Sequence, residues 1–211
     1  MAGQANIAAA FARLTAAINA AANLAGSGGG GAAGIHAASP MPVGGFATNQ
    51  VNALALSTIA AAVNQLNLMP FIPARAITID QIGTEVTIAG AAATTCRLGL
   101  YDSNANGEPN ALLVQGAAVI NTDAIGAKTT VVAAQALVAG QLYWLALLTS
   151  GAPTLRAVAL GGLYALPGNA TLTGNYTLRR ATFAYAALPA AAPVTVPTAS
   201  IAPLFRLRKS A

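Results

Sequence analysis

Along the middle of this chain, apolar side chains recur at every second position. Cys96, Leu98 and Leu100 fall on one side of an extended backbone, and Arg97, Gly99 and Tyr101 on the other. Period two is the spacing of a half-buried β-strand and does not fit a helix. The rhythm extends to Leu54 and Leu56, to Leu66, Leu68 and (past Met69-Pro70) Phe71, to Ile77 and Ile79, and to Val86 and Ile88. Glycine-containing turn signals interrupt these runs at Ala89-Gly90, Asn106-Gly107, Ile125-Gly126, Ala139-Gly140, Ser150-Gly151 and Pro167-Gly168. Short strands and turns at roughly ten-residue spacing predict a mainly β chain, a jelly-roll-like antiparallel β-sandwich over residues 51–211.

One run breaks the usual one-sided burial. Leu142, Trp144, Ala146 and Leu148 are expected to face the core, yet Tyr143, Leu145 and Leu147 between them are apolar too. A sandwich strand ordinarily shows water one polar face. The second face is therefore expected to lie against another subunit or the C-terminal segment. That segment, 186–203, is rich in Ala, Pro and Thr and reads as extended. It closes in a final strand whose Phe205 and Leu207 point in and whose Arg206 and Arg208 point out.

The N-terminal part follows a different rule. Ile7, Phe11, Leu14 and Ile18 are spaced four, three and four apart, the seam of a coiled coil, among alanines that favour helix. The spacing predicts an α-helical arm over 1–25. So short a helix is marginal alone and needs a partner, so Ile7, Phe11, Leu14 and Ile18 are the expected oligomerisation or docking residues. A trimer is the expected state, although these four residues do not fix the number. The plainer alternative folds the helix back on its own domain. A linker over 26–50 follows, opening with Gly26-Ser27-Gly28-Gly29-Gly30-Gly31 and continuing extended through Pro40 and Pro42. The start is Ala-rich with a lone Arg13, lacks the basic region and leucine-rich core of a leader, and is expected to be retained.

Composition now narrows the setting. Of 211 residues, 55% are hydrophobic and 7% charged, against about 25% charged in an average soluble domain. Such a chain is expected in a membrane or under neighbours. No run approaches the roughly 20 apolar residues of a spanning helix, and the longest dense one, Leu142–Leu148, is strand-length. Aromatics, at 5%, are too few for the two girdles of a membrane barrel. No membrane association is expected. All five acids, Asp80, Glu85, Asp102, Glu108 and Asp123, lie in one central stretch, and every charge from Lys128 onward is positive. The C-terminal part could thus face something acidic, or simply be a solvated surface. With no basic run interleaved with aromatics, no nucleic acid is expected.

Chemistry finds little footing in these residues. One histidine, His36, lies next to the linker, and the single Cys96 sits in a strand pattern as a small core residue. Neither a nucleophile–base pair nor a zinc set follows. The glycine run lacks the Lys-Ser/Thr ending of a phosphate loop. The expectation is a non-enzymatic protein without cofactor. Asp102, Asn104 and Asn106 match the opening of a calcium loop, but Leu113 stands where the bidentate Glu belongs, so a hairpin turn with Asn-Gly at its tip is the favoured reading. Tyr164 and Tyr176 are the tyrosines best placed to stack on a sugar, while Trp144 reads as core.

Four stretches carry a family resemblance: Pro70-Phe71-Ile72-Pro73-Ala74-Arg75-Ala76-Ile77-Thr78-Ile79-Asp80; Arg97-Leu98-Gly99-Leu100-Tyr101-Asp102 with Asn106-Gly107-Glu108-Pro109 and Leu112-Leu113; Gly140-Gln141-Leu142-Tyr143-Trp144-Leu145-Ala146; and Pro203-Leu204-Phe205-Arg206-Leu207-Arg208. Over roughly residues 50–208 the chain resembles the jelly-roll domains of tailed-phage fibre, tail and head-decoration proteins. The resemblance implies a place on the virion surface, with the major capsid or a tail protein as partner. A capsid decoration (cement) protein or short fibre is the expected role. The alternative it permits is a tail-fibre module that recognises a host surface glycan. The arm and linker are not part of it, and it brings no fixed ligand residue.

Overall fold

The structure, a computed structural model, describes residues 43–48, 55–159, 177–198 and 201–210. Every regular element among them is a strand: β1 (Phe46–Thr48), β2 (Ala55–Ala60), β3 (Gln65–Phe71), β4 (Ile77–Ile88), β5 (Thr95–Ser103), β6 (Pro109–Gln115), β7 (Ile120–Asn121), β8 (Gly126–Leu137), β9 (Tyr143–Thr149), β10 (Thr154–Ala159), β11 (Leu178–Thr182), β12 (Val196–Thr198), β13 (Ala202–Pro203) and β14 (Arg206–Lys209). The chain is mainly β, and all paired strands run antiparallel. The expected helical arm and all but residues 43–48 of the linker lie outside the described residues.

The strands form two sheets of seven. The first runs β1-β14-β4-β10-β13, with β8 on the other side of β4 and β2 beyond β10. The second runs β12-β11-β3-β9-β5-β6, with β7 beside β5. One apolar cluster joins them. Ile79, Ile82, Val86, Leu155 and Leu207 come from the first sheet and Met69, Leu98, Leu100, Leu145, Leu147 and Leu178 from the second. The two sheets are therefore stacked on a shared core, as the period-two pattern requires.

The pattern itself is not perfectly regular, and the register explains why. In β4 the inward residues are Ile79 and then Ile82, three apart. Ile79 pairs Gln135 and Gln81 pairs Val131, so β8 carries Val132, Ala133 and Ala134 against the single Asp80. This bulge resets the phase of both strands, so Ile79 and Ile82 of β4 and Val132 and Leu137 of β8 all reach the core. Five of the six turn signals lie where strands end, at 89–90, 106–107, 125–126, 139–140 and 150–151. Gly107 and Gly140 both have φ near +75°, a left-handed conformation open to glycine at little cost. Pro167-Gly168 falls outside the described residues.

Face assignments differ from the sequence reading in three strands; in β4, Val86 is buried but Ile88, read as its partner, is 63% exposed. In β9 it is Tyr143, Leu145 and Leu147 that meet the inter-sheet core, whereas Trp144, Ala146 and Leu148 turn outward into a second cluster. Both faces are apolar, so alternation alone could not say which was which. In β2 the exposed residue is Leu56, and Ile59 packs against the core.

Candidate functional site

The outward face of β9 would be an apolar patch on any free sheet. Here the chain covers it. Residues 183–192, most of the connection from β11 to β12, cross the second sheet as a strap over Leu66, Leu68, Tyr101, Trp144, Ala146 and Leu148. Leu188, 4% exposed, is its apolar anchor. Polar contacts fix it at several points. Tyr101 Oη donates to the Pro189 carbonyl at 2.8 Å, and the Leu188 amide donates to Gln115 Oε1 at 3.1 Å. Leu112 N donates to Ala190 O and Ala192 N to Asn110 O, which occupies the outer edge of β6. At the other end Asn64, at φ 57°, accepts from Phe183 N through its carbonyl and from Tyr185 N through Oδ1. Trp144 Nε1, buried beneath, donates to Ser103 Oγ at 2.9 Å. Of the two covers expected for the doubly apolar strand, the C-terminal segment is the one used.

The segregation of charge along the chain also resolves internally. Acids of the central stretch meet arginines of the C-terminal part: Glu85 with Arg156 at 3.0 Å, Glu108 with Arg179 at 2.7 Å, and Asp80 with Arg208 through two bonds of 2.7 and 2.9 Å. The Arg208 guanidinium holds the Asp80 carboxyl below the usual carboxylate range, and Asp80 in turn raises Arg208. Arg179 is buried. Its Nε donates to Thr195 Oγ1, and its Nη1 has no partner among the described residues. Arg206 lies over the Phe46 ring at 4.6 Å. The acidic surface that the basic half could have sought is, for three arginines, the protein's own. Sequence reading missed these pairs, though the block segregation of sign was a signal for them.

The calcium-like residues serve the backbone. Asp102 Oδ1 accepts from Ala111 N at 2.6 Å, and Asn104 Oδ1 accepts from Asn106 N and Glu108 N, each at 2.9 Å. Gly107 N returns to Asn104 O at 3.0 Å. These bonds shape the β5–β6 turn. Among the described residues no group of three His, Cys, Asp or Glu side chains converges. Cys96 is buried, and that burial pushes its thiol up to about 12. Ile7, Phe11, Leu14, Ile18, His36, Tyr164 and Tyr176 lie outside the described residues.

The two ends of the sandwich differ. At one, the β3–β4 connection (72–76) and the β8–β9 connection (138–142) meet, Gly140 N donating to Pro73 O at 2.8 Å. The chain enters the fold there: Gly44 N donates to Lys209 O, and Lys209 pairs Ile79. Val43 (64% exposed), Ile72 (51%) and Val138 (58%) stand open at this end. At the far end, loops 89–94 and 150–153 close tightly around Thr94. A β-carbon at Gly90 would come within 2.9 Å of that side chain. Ile88, Val119 and Ile125 are exposed. No family model, curated protein or solved structure matches the chain.

Proposed function

We propose that this is a non-enzymatic structural protein of a tailed-phage virion, a jelly-roll domain carried on an N-terminal helical arm and serving as a capsid decoration protein or short fibre. The observation that carries the reading is the surface. Exposed aliphatics (Val43, Leu56, Ile72, Ile88, Val119, Ile125, Val131 and Val138) stand on a domain that pairs three of its five acids internally. Isolated exposed leucines and valines are ordinary, but this many with so little charge favour a surface covered by neighbours. The arm's seam of Ile7, Phe11, Leu14 and Ile18 supplies the joint, and a homotrimer is the proposed unit.

The deciding measurement is the copy number per particle, by quantitative mass spectrometry of purified virions against the major capsid protein. Hundreds of copies make it a lattice-bound decoration protein; a handful makes it a tail or vertex fibre. Absence from the particle overturns the proposal. Phe11→Asp is expected to abolish incorporation, and its normal incorporation would remove the arm from the account.

The second reading, attachment to a host surface glycan through Tyr164 and Tyr176, has one observation relevant to it. These residues belong to the β10–β11 connection, rooted at Ala159 and Thr177. The Thr177 amide bonds to Thr198, and Val158 pairs with Ala202, only four positions beyond Thr198. Thr177 also follows on from the Arg179–Leu68 pairing, toward the Phe71 end of β3, where the N-terminal chain enters. We rank this reading below the structural role, which the exposed aliphatic surface favours.

A further inference from the structure

We propose that Arg97 and Tyr185 form a seat for the carboxylate of an acidic sugar, on the outer face of the second sheet where the strap begins. The seat is built from described residues alone, and it stands whether or not the chain belongs to a virion.

Arg97 is the residue that points to a ligand. Cys96 and Leu98 on either side of it enter the core, so Arg97 turns outward, and its guanidinium lies over the Tyr185 ring at 5.8 Å. Three arginines among the described residues pair with acids, and Arg97 is not one of them. Its Nε is buried and meets no acceptor among the described residues. A guanidinium stays charged and can only donate. A buried donor left unbonded is rare, and a bound ion is one of the few things that account for it. Arg179 also has an orphan nitrogen, but Glu108 and Thr195 already bond the rest of that group. Arg97 lacks both the bond and the counter-charge. A carboxylate matches the guanidinium fork in plane, spacing and charge. It meets the terminal nitrogens first and reaches Nε by a small turn of the side chain.

The groups around the guanidinium are already fixed. Tyr185 Oη lies 2.7 Å from Thr95 Oγ1, which lies 3.2 Å from Ser150 Oγ. Ser150 Oγ also accepts from Thr95 N at 2.9 Å, and Tyr185 N donates to Asn64 Oδ1 at 2.8 Å. The ring beneath Arg97 is thus held by its backbone and by its hydroxyl, so little ordering is left for binding to cost. The hydroxyls of Tyr185, Thr95 and Ser150 keep lone pairs beyond these bonds. They suit a ligand that carries hydroxyls next to its acid, which a sugar acid does and an aspartate or glutamate side chain does not. Ala184, Ala186 and Ala187, next to Tyr185, are exposed and small, so the approach is open.

Titration of the isotope-labelled full-length chain tests this, read by NMR at the Arg97 Nε–H and the Tyr185 amide. The probes are glucuronate, glucose, acetate and an N-acetylated glutamate amide. Glucuronate is expected to move both signals saturably and glucose to leave them in place. Acetate and the glutamate derivative are expected to bind about tenfold more weakly, for want of the bonds to the hydroxyls. Arg97→Gln is expected to weaken glucuronate about tenfold or more, read at Tyr185, as loss of a charge-assisted pair does. Arg97→Lys keeps the charge without the fork and is expected to fall between. Unchanged Trp144 emission shows that each variant is folded, and the comparison of glucuronate with glucose in the parent needs no variant. Acetate or the glutamate derivative binding as tightly as glucuronate overturns the sugar. No saturable shift with glucuronate, equal shifts with glucose, or unaltered affinity in Arg97→Gln overturns the seat itself.

Discussion

Tyr101 holds the strap down by its hydroxyl: Oη reaches the Pro189 carbonyl at 2.8 Å, from β5 across the outer face of the second sheet. The ring is fully buried, and burial raises the phenol above its ordinary range, so the hydroxyl keeps its proton at neutral pH and can donate. Tyr101→Phe leaves the carbonyl without this donor and is expected to cost about 1–3 kcal/mol. Chemical denaturation measures the loss. Trp144, the single tryptophan, lies beneath the same strap, so its emission reports the strap's release. A red shift preceding global unfolding is expected in the variant, and an unchanged midpoint would show that the bond contributes nothing.

Gly99 is the second determinant of the strap's seat. A β-carbon there would collide with Leu188 Cδ1 and lie 2.9 Å from the Val114 carbonyl oxygen. Gly99→Ala is expected to destabilise by about 1–3 kcal/mol, as overpacking does in a close-packed site. Leu188→Ala in that background is expected to relieve the clash with the side chain and leave the one with the backbone. The double variant should then lose less than the two single losses combined.

What the sequence revealed and what it hid divide on physical lines. Alternation located β5 and the end of the chain correctly, because Arg97 and Gly99, or Arg206 and Arg208, mark the outer side. It reversed the faces of β9, because a strand apolar on both sides carries no such mark. The Ala, Pro and Thr of 186–203 suggested extended backbone but not the destination of the strap, which is set by contacts far apart in sequence such as Tyr101 with Pro189. The Asn-Gly turn was legible from local chemistry, since Asn104 and Gly107 bond within their own hairpin. The ion pairs join positions such as Glu85 and Arg156, and only the separation of signs along the chain hinted at them.

The pair of Asp80 and Arg208 predicts a specific acid dependence. Asp80 has a folded value below its ordinary 3.8, chiefly through its bond to Arg208. A depressed carboxylate contributes stability that is fully present above the unfolded value and is lost as pH falls through the folded one. The melting temperature is therefore expected to hold steady above about pH 5 and to fall below about pH 4. Asp80→Asn should flatten the part of that fall due to this group. Both side chains are about a third exposed, so the effect at neutral pH is expected to be small and weaker in high salt. A variant whose acid limb matches the parent would show that other carboxylates control it.

The pair of Arg179 and Glu108 makes the opposite case, because here the cation is buried. Arg179 is 4% exposed and its Nη1 has no partner among the described residues, while the Glu108 side chain is 38% exposed. Glu108→Gln leaves a buried guanidinium short of its counter-charge. The exposure of the carboxylate limits the loss to about 1–2 kcal/mol, below the 3–5 seen when a fully buried pair is broken. Arg179→Met removes the buried charge and fills similar volume among Leu68 and its neighbours. Combined with Glu108→Gln it is expected to recover most of that loss, since an apolar replacement of a buried ion pair is often neutral or better. A double-mutant cycle by urea denaturation gives the coupling. If the double variant is no more stable than Glu108→Gln alone, Arg179 is kept for its bonds to Thr195 and not for the pair.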